Sequence, residues 1–86
     1  MFTVAMFLNG SLHTLKCEHE SYAEALSAVS GAPGQREAIP GIKFATDHHV
    51  MAWLDREGNR HDVVILEGNI RNIPTLYYCI GVNLSD

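Results

Sequence analysis

The residues able to do chemistry crowd into one stretch, DHHVMAWLDREGNRHDVV, from Asp47 to Val64. It holds three of the five histidines (His48, His49, His61), three aspartates (Asp47, Asp55, Asp62), Glu57 and the only tryptophan, Trp53. An imidazole beside a carboxylate can transfer protons, and imidazoles with thiolates can hold a metal ion. A second group, His13, Cys17 and His19, would form a His-x3-Cys-x-His row along one strand face. Zinc sites, however, pair short-spaced ligands in two clusters, and the chain has no such pairs. Adjacent His48 and His49 point to opposite faces if they lie on a strand, and so cannot easily chelate one ion. A dyad built on Cys17 or Cys79 needs a cleft and a third, orienting group. One small sheet under one helix leaves little room for a deep pocket. Asp47, Asp55, Glu57 and Asp62 read as solvated residues flanking a turn. GAPGQ lacks the Lys-Ser/Thr and the following helix of a phosphate-binding loop. The sequence therefore assigns no catalytic residue, no metal ligand and no cofactor, and predicts a protein that is not an enzyme.

Length and charge narrow the class. A chain of 86 residues is a single domain, 1–86, with little margin of buried surface. An apolar fraction of 47% with 19% charged residues is that of a globular protein. The net charge is −4, and the six basic residues (Lys16, Arg36, Lys43, Arg56, Arg60, Arg71) are scattered. Direct nucleic-acid binding, which needs clustered cations, is not expected. Glu18, Glu20 and Glu24 form a small negative cluster, read first as a solvated face. No segment approaches the roughly 20 apolar residues of a membrane span. FTVAMFL is too short and lacks the basic flank of a signal peptide. With two distant cysteines, the expectation is a cytoplasmic protein, in the producing or infected cell, with reduced thiols and no membrane association.

The elements that would position these residues follow from local pattern. Phe2, Val4, Met6 and Leu8 alternate before Asn9-Gly10, which supplies a tight turn, so 2–18 reads as a hairpin. Ser21, with Glu24 three residues on, caps a helix over 21–30 with Tyr22, Ala25, Leu26 and Val29 on one stripe and Gly31 as its stop. A Gly/Pro loop covers 31–41 and is a candidate contact surface, or a plain crossover. Residues 42–82 hold strands: IKFAT, the stretch from Asp47 onward, and TLYYCIGV. Residues 47–58 admit a helix capped by Asp47, or a hairpin arm turning through DREGN with Gly58 left-handed; the hairpin is the preferred reading. The result is β-β-α-β-β-β-β, an α+β two-layer sandwich with a mostly antiparallel sheet and one short helix on one face.

One helix cannot cover both faces of a sheet. Phe7 lies opposite Phe2, Val4, Met6 and Leu8, and Tyr77 and Tyr78 are adjacent, so Phe7, Trp53, Tyr77 and Tyr78 are candidate interface residues. The acidic candidates are Glu18, Glu20, Glu24, Asp55, Glu57 and Asp62. The first strand carries no charge or proline to protect it; if it lies at an edge, strand-to-strand pairing into a homodimer is a cheap outcome.

Two resemblances bear on function. DHHVMAWLDREGNRHDVVI resembles the strand–turn–strand of HicA-type toxins, small RNA-cleaving proteins, in which a histidine begins one strand of a hairpin. His48 or His49 would take that place. The departures are Thr46-Asp47 where the family has a Gly-Ser pair, the missing basic surface, and a final strand where the family has a helix. Over the whole chain, size, acidity and lack of catalytic motifs resemble the small inhibitors that phages and mobile elements direct at host machinery, anti-CRISPR proteins among them. That resemblance implies a non-enzymatic inhibitor contacting a larger, often nucleic-acid-binding protein through acidic residues. The alternatives are a histidine-dependent nuclease or metal-binding protein using His48 and His49, with His61, or a structural subunit of a larger assembly.

Overall fold

Asn9 and Gly10 both take positive φ, 51° and 83°, and join β1 (Phe2–Leu8) to β2 (Ser11–His19) as an antiparallel hairpin. The computed structural model describes residues 1–30, 39 and 41–84. Helix α1 (Tyr22–Ser30) starts where the capping pattern puts it: Ser21 Oγ accepts the Glu24 N–H at 3.1 Å. The loop expected over 31–41, with the Gly31 stop, lies almost wholly outside the described residues. A second hairpin, β3 (His49–Leu54) and β4 (Arg60–Glu67), turns through Asp55–Asn59 with Gly58 at φ 83°. Of the two readings of 47–58, the hairpin is the one formed.

The strands order as β2-β1-β4-β3, every pair antiparallel. The fold is α+β, as expected. Three details differ from expectation. First, IKFAT is not a strand. Two of its backbone donors are met locally: Ile42 N–H by Ile39 O at 3.3 Å and Ala45 N–H by His49 Nδ1 at 3.4 Å. Second, TLYYCIGV is not a strand but part of helix α2 (Ile73–Cys79) and its exit. Asn72 Oδ1 accepts the Thr75 N–H at 3.0 Å, and Pro74 sits in the first turn, where its missing N–H is no loss. Leu76 and Cys79 bury a helical stripe, with Tyr77 and Ile80 beside it. Third, β1 is not at an edge. It is flanked by β2 and β4, so it offers no free edge for a homodimer.

The second helix changes the layering. Val4, Trp53, Val63 and Ile65 pack with Ala25 and Val29 of α1 on one face. Ala5, Phe7, Val64 and Leu66 pack with Leu76 and Cys79 of α2 on the other. Both faces are covered, which is why Val63 to Leu66 of central β4 are buried without alternation. Thr3, fully buried, ties the crossover to α2: its hydroxyl donates to Gly68 O and accepts the Ile70 N–H.

Two bulges reset the faces of β2. Met6 pairs with Thr14 and Phe7 with Leu12, leaving His13 as the extra residue; Glu18 is extra between the pairs Thr3–Cys17 and Phe2–His19. Leu12 and Leu15 therefore both join the α2-side core, while His13 lines a groove on the opposite face with Met6, Thr14 and Trp53. The expected His13-Cys17-His19 row does not form.

Candidate functional site

His49 and Asp62 meet in the interior. They face each other across the bulged end of β3 and β4, with side chains 1% and 4% exposed. His49 Nε2 donates to Asp62 Oδ2 at 2.7 Å, and the Ala45 N–H points at His49 Nδ1 at 3.4 Å. Arg60 closes the other side of the carboxylate, Nε on Oδ1 and a terminal N–H on Oδ2, each at 3.0 Å. Phe44 stands edge-on to the imidazole at 5.0 Å. With both ring nitrogens engaged, His49 has no free nitrogen with which to act as a base. The cluster holds the 44–46 segment onto the sheet. Asp62, expected on a solvated turn, is buried. His48, the chain neighbour of His49, is exposed.

A second carboxylate–imidazole pair lies at the turn. Asp55 Oδ1 accepts the backbone N–H groups of Glu57 and Asn59 at 3.0 and 2.9 Å, and Oδ2 takes His61 Nε2 at 2.9 Å. The bond from His61, then those from Asn59 and Glu57, hold the Asp55 carboxyl down to about 2. His61 lies flat on the Trp53 indole, ring centres 4.9 Å apart and planes 1° from parallel. Asp55 is thus consumed in fixing the turn, and Glu57, of the three acidic candidates here, is the one that is exposed.

The aromatic candidates divide sharply. Phe7 and Trp53 are 1% and 3% exposed and belong to the two cores, not to a surface. Tyr77 is half-buried, edge-on to Phe7 at 5.2 Å, and its hydroxyl accepts the Leu12 N–H at 2.8 Å. Tyr78 alone is outward, 64% exposed. The expectation of an uncovered aromatic face fails because α2 supplies the missing layer. The thiols are separate in role: Cys17 Sγ approaches Gly68 O at 3.6 Å, and Cys79 is in the core, where burial raises its pKa.

The acidic candidates Glu18, Glu20 and Glu24 come together at one end of the sheet, all exposed. The register adds a fourth. Phe2 pairs with His19 on one side and with Glu67 on the other, so Glu67 sits on the same terminal rung. Nothing in sequence spacing links Glu67 to the other three; only strand pairing does. Glu24 Oε1 lies 3.8 Å from His19 Nδ1, and Tyr22, 44% exposed, packs edge-on to Phe2 at 6.2 Å. The result is an acidic end of the sheet, with Lys16 on the same β2 stretch as Glu18 and the exposed Tyr22 ring against Phe2.

Among the described residues no group of three or more His, Cys, Asp or Glu side chains converges as a metal site, and no helix is long and apolar enough to cross a membrane. Comparison of the chain with protein-family models, curated proteins and solved structures finds no match.

Proposed function

We propose that this chain is a non-enzymatic protein-binding domain whose acidic pole docks on a basic surface of a larger, nucleic-acid-binding protein. The observation that carries this reading is that Glu18, Glu20, Glu24 and Glu67 all lie exposed at the end of the sheet where Tyr22 packs on Phe2. Carboxylates held on a rigid rim present a fixed charge pattern, and a tyrosine at the same end offers contact area at low entropic cost. Such a pole competes for the cationic groups that would otherwise hold phosphates. In its narrower form the reading is an inhibitor of the kind that phages and mobile elements use, anti-CRISPR proteins among them, occluding a nucleic-acid site by surface contact. The closed hydrogen bonding of His49 supports this reading over a hairpin-histidine nuclease that would use His49, since neither of its ring nitrogens is free; exposed His48 is the other position such a nuclease could use.

The test is affinity capture from the cells in which the gene is expressed, with three baits compared quantitatively: the native chain, Glu18→Lys/Glu24→Lys, and Arg56→Glu at the opposite end. The expected result is one or more basic proteins retained by the native and Arg56→Glu baits. Their recovery should fall at least tenfold with the double charge reversal, and on adding heparin, since steering of this kind changes association by 10- to 1,000-fold. Retention by all three baits alike, or no protein that heparin displaces, would reject the proposal.

A further inference from the structure

At the other end of the sheet, beside the hairpin turns, an open groove of about 320 Å³ runs over Met6 and Leu8, between Thr14 and His13 on one wall and Trp53 and His61 on the other. His61 is held there as metal-ligating histidines are held. An imidazole that ligates a metal through one nitrogen usually donates from the other to a carboxylate, which fixes its tautomer and raises its basicity. Asp55 already accepts two backbone N–H groups on Oδ1 and takes His61 Nε2 on Oδ2. An ionised carboxylate can only accept, so His61 Nε2 is the donor, and the neutral ring carries its lone pair on Nδ1. No described residue hydrogen-bonds to that nitrogen. Stacking on Trp53, with the rings parallel to 1°, holds the ring plane fixed.

His13 supplies the second nitrogen. Its Nδ1 lies 3.0 Å from Thr14 Oγ1, which leaves Nε2 without a partner among the described residues. The β2 bulge turns His13 onto the groove face. His61 on β4 and His13 on β2 flank β1, about 10 Å apart across the strands and staggered by one to two residues along them, since His61 pairs with Leu8 and His13 bulges out between the partners of Phe7 and Met6; both line the groove over Met6 and Leu8.

We propose that the groove is an open site for one imidazole-preferring divalent transition-metal ion, held by His61 Nδ1 and His13 Nε2, with water completing its coordination. Asp55 is the positioning residue for His61. Two nitrogen ligands make an exchangeable site rather than a structural one, and its order of affinity follows the general one, Cu(II) above Zn(II). The proposal is independent of the acidic pole, which lies at the opposite end of the strands.

Trp53 is the only tryptophan and touches a proposed ligand, so its emission reports directly. Untagged protein is titrated with Cu(II) and, separately, with Zn(II), and stoichiometry is read by native mass spectrometry. The expected result is one Cu(II) per chain with Trp53 emission quenched, and weaker binding of one Zn(II). His13→Ala and His61→Ala should each weaken Cu(II) binding at least tenfold, Asp55→Asn by about tenfold, and His48→Ala not at all. His13 is exposed on a bulge, so His13→Ala keeps the fold, as circular dichroism will show, and its result stands even if His61→Ala does not fold. Binding that survives His13→Ala unchanged, binding lost only in His48→Ala, or no 1:1 ion overturns the site.

Discussion

Asp62 is acidic, follows a histidine and lies near a polar turn, and on those grounds it belongs on the surface. It is instead buried between His49 and Arg60, because the β4 pleat turns residues 62, 64 and 66 toward α2 while 61, 63 and 65 face α1. Its partner is 13 residues away on another strand, a distance at which neither spacing nor composition signals a pair. Removing it leaves a buried imidazole N–H and an arginine without their acceptor. Asp62→Ala should therefore lose about 3 kcal/mol or more of unfolding free energy, measured by urea denaturation at neutral pH. Asp55 differs in kind. Its turn-forming role is legible from Asp-x-x-Gly-Asn, and its bond to His61 is not. Because its folded pKa is depressed from 3.8 to about 2, the stability it contributes is present above pH 4 and is lost as pH falls from about 4 toward 2. The denaturation midpoints of native protein and Asp55→Asn should differ by a constant amount above that window and converge within it. A gap that persists unchanged to pH 2 would contradict the assignment.

At the scale of elements, local signals succeeded where a turn or cap is written in adjacent residues. Asn9-Gly10, Ser21 with Glu24, and Gly58 each mark what forms. The last element went the other way because two signals conflicted. TLYYCIGV is rich in aromatic and β-branched residues, a strand composition, yet Asn72 and Pro74 spell a helix start and burial of Leu76 and Cys79 at helical spacing decides the outcome. The bulges at His13 and Glu18 were not legible, since they depend on which partner strand arrives. The exit of α2 gives a sharp test. Gly81 has φ 88°, and a Cβ there would come within 3.2 Å of Ala45 Cβ, whereas Gly58, at φ 83°, has open space around it. Gly58→Ala should lose about 1 kcal/mol, the cost of a left-handed alanine. Gly81→Ala should lose distinctly more, because Ala45 is tied to the sheet through His49. Equal urea midpoints for the two variants would show that the 44–46 segment yields freely.

For the whole molecule, the two ends of the sheet carry different chemistry. The end with Glu18, Glu20, Glu24 and Glu67 is acidic; the end with the turns holds the imidazole groove. Three of the four carboxylates were legible as a cluster because they are close in sequence, and Glu67 entered through the antiparallel pairing of β1 with β4. The groove was illegible because His13 and His61 are brought together only by strand order. Covering both sheet faces with helices removes the exposed aromatic layer expected of a one-helix sandwich, and so moves the proposed binding surface from Phe7 and Trp53 to the charged rim. The most direct test of that shift is hydrogen–deuterium exchange on the complex with the captured partner. Slowed amide exchange over 18–24 and at 67–68, with α2 and the turn at 55–59 unchanged, is the predicted footprint. Slowing confined to α2 around Tyr78 and to residues 42–46 would place the interface on the opposite layer and contradict the acidic-pole account.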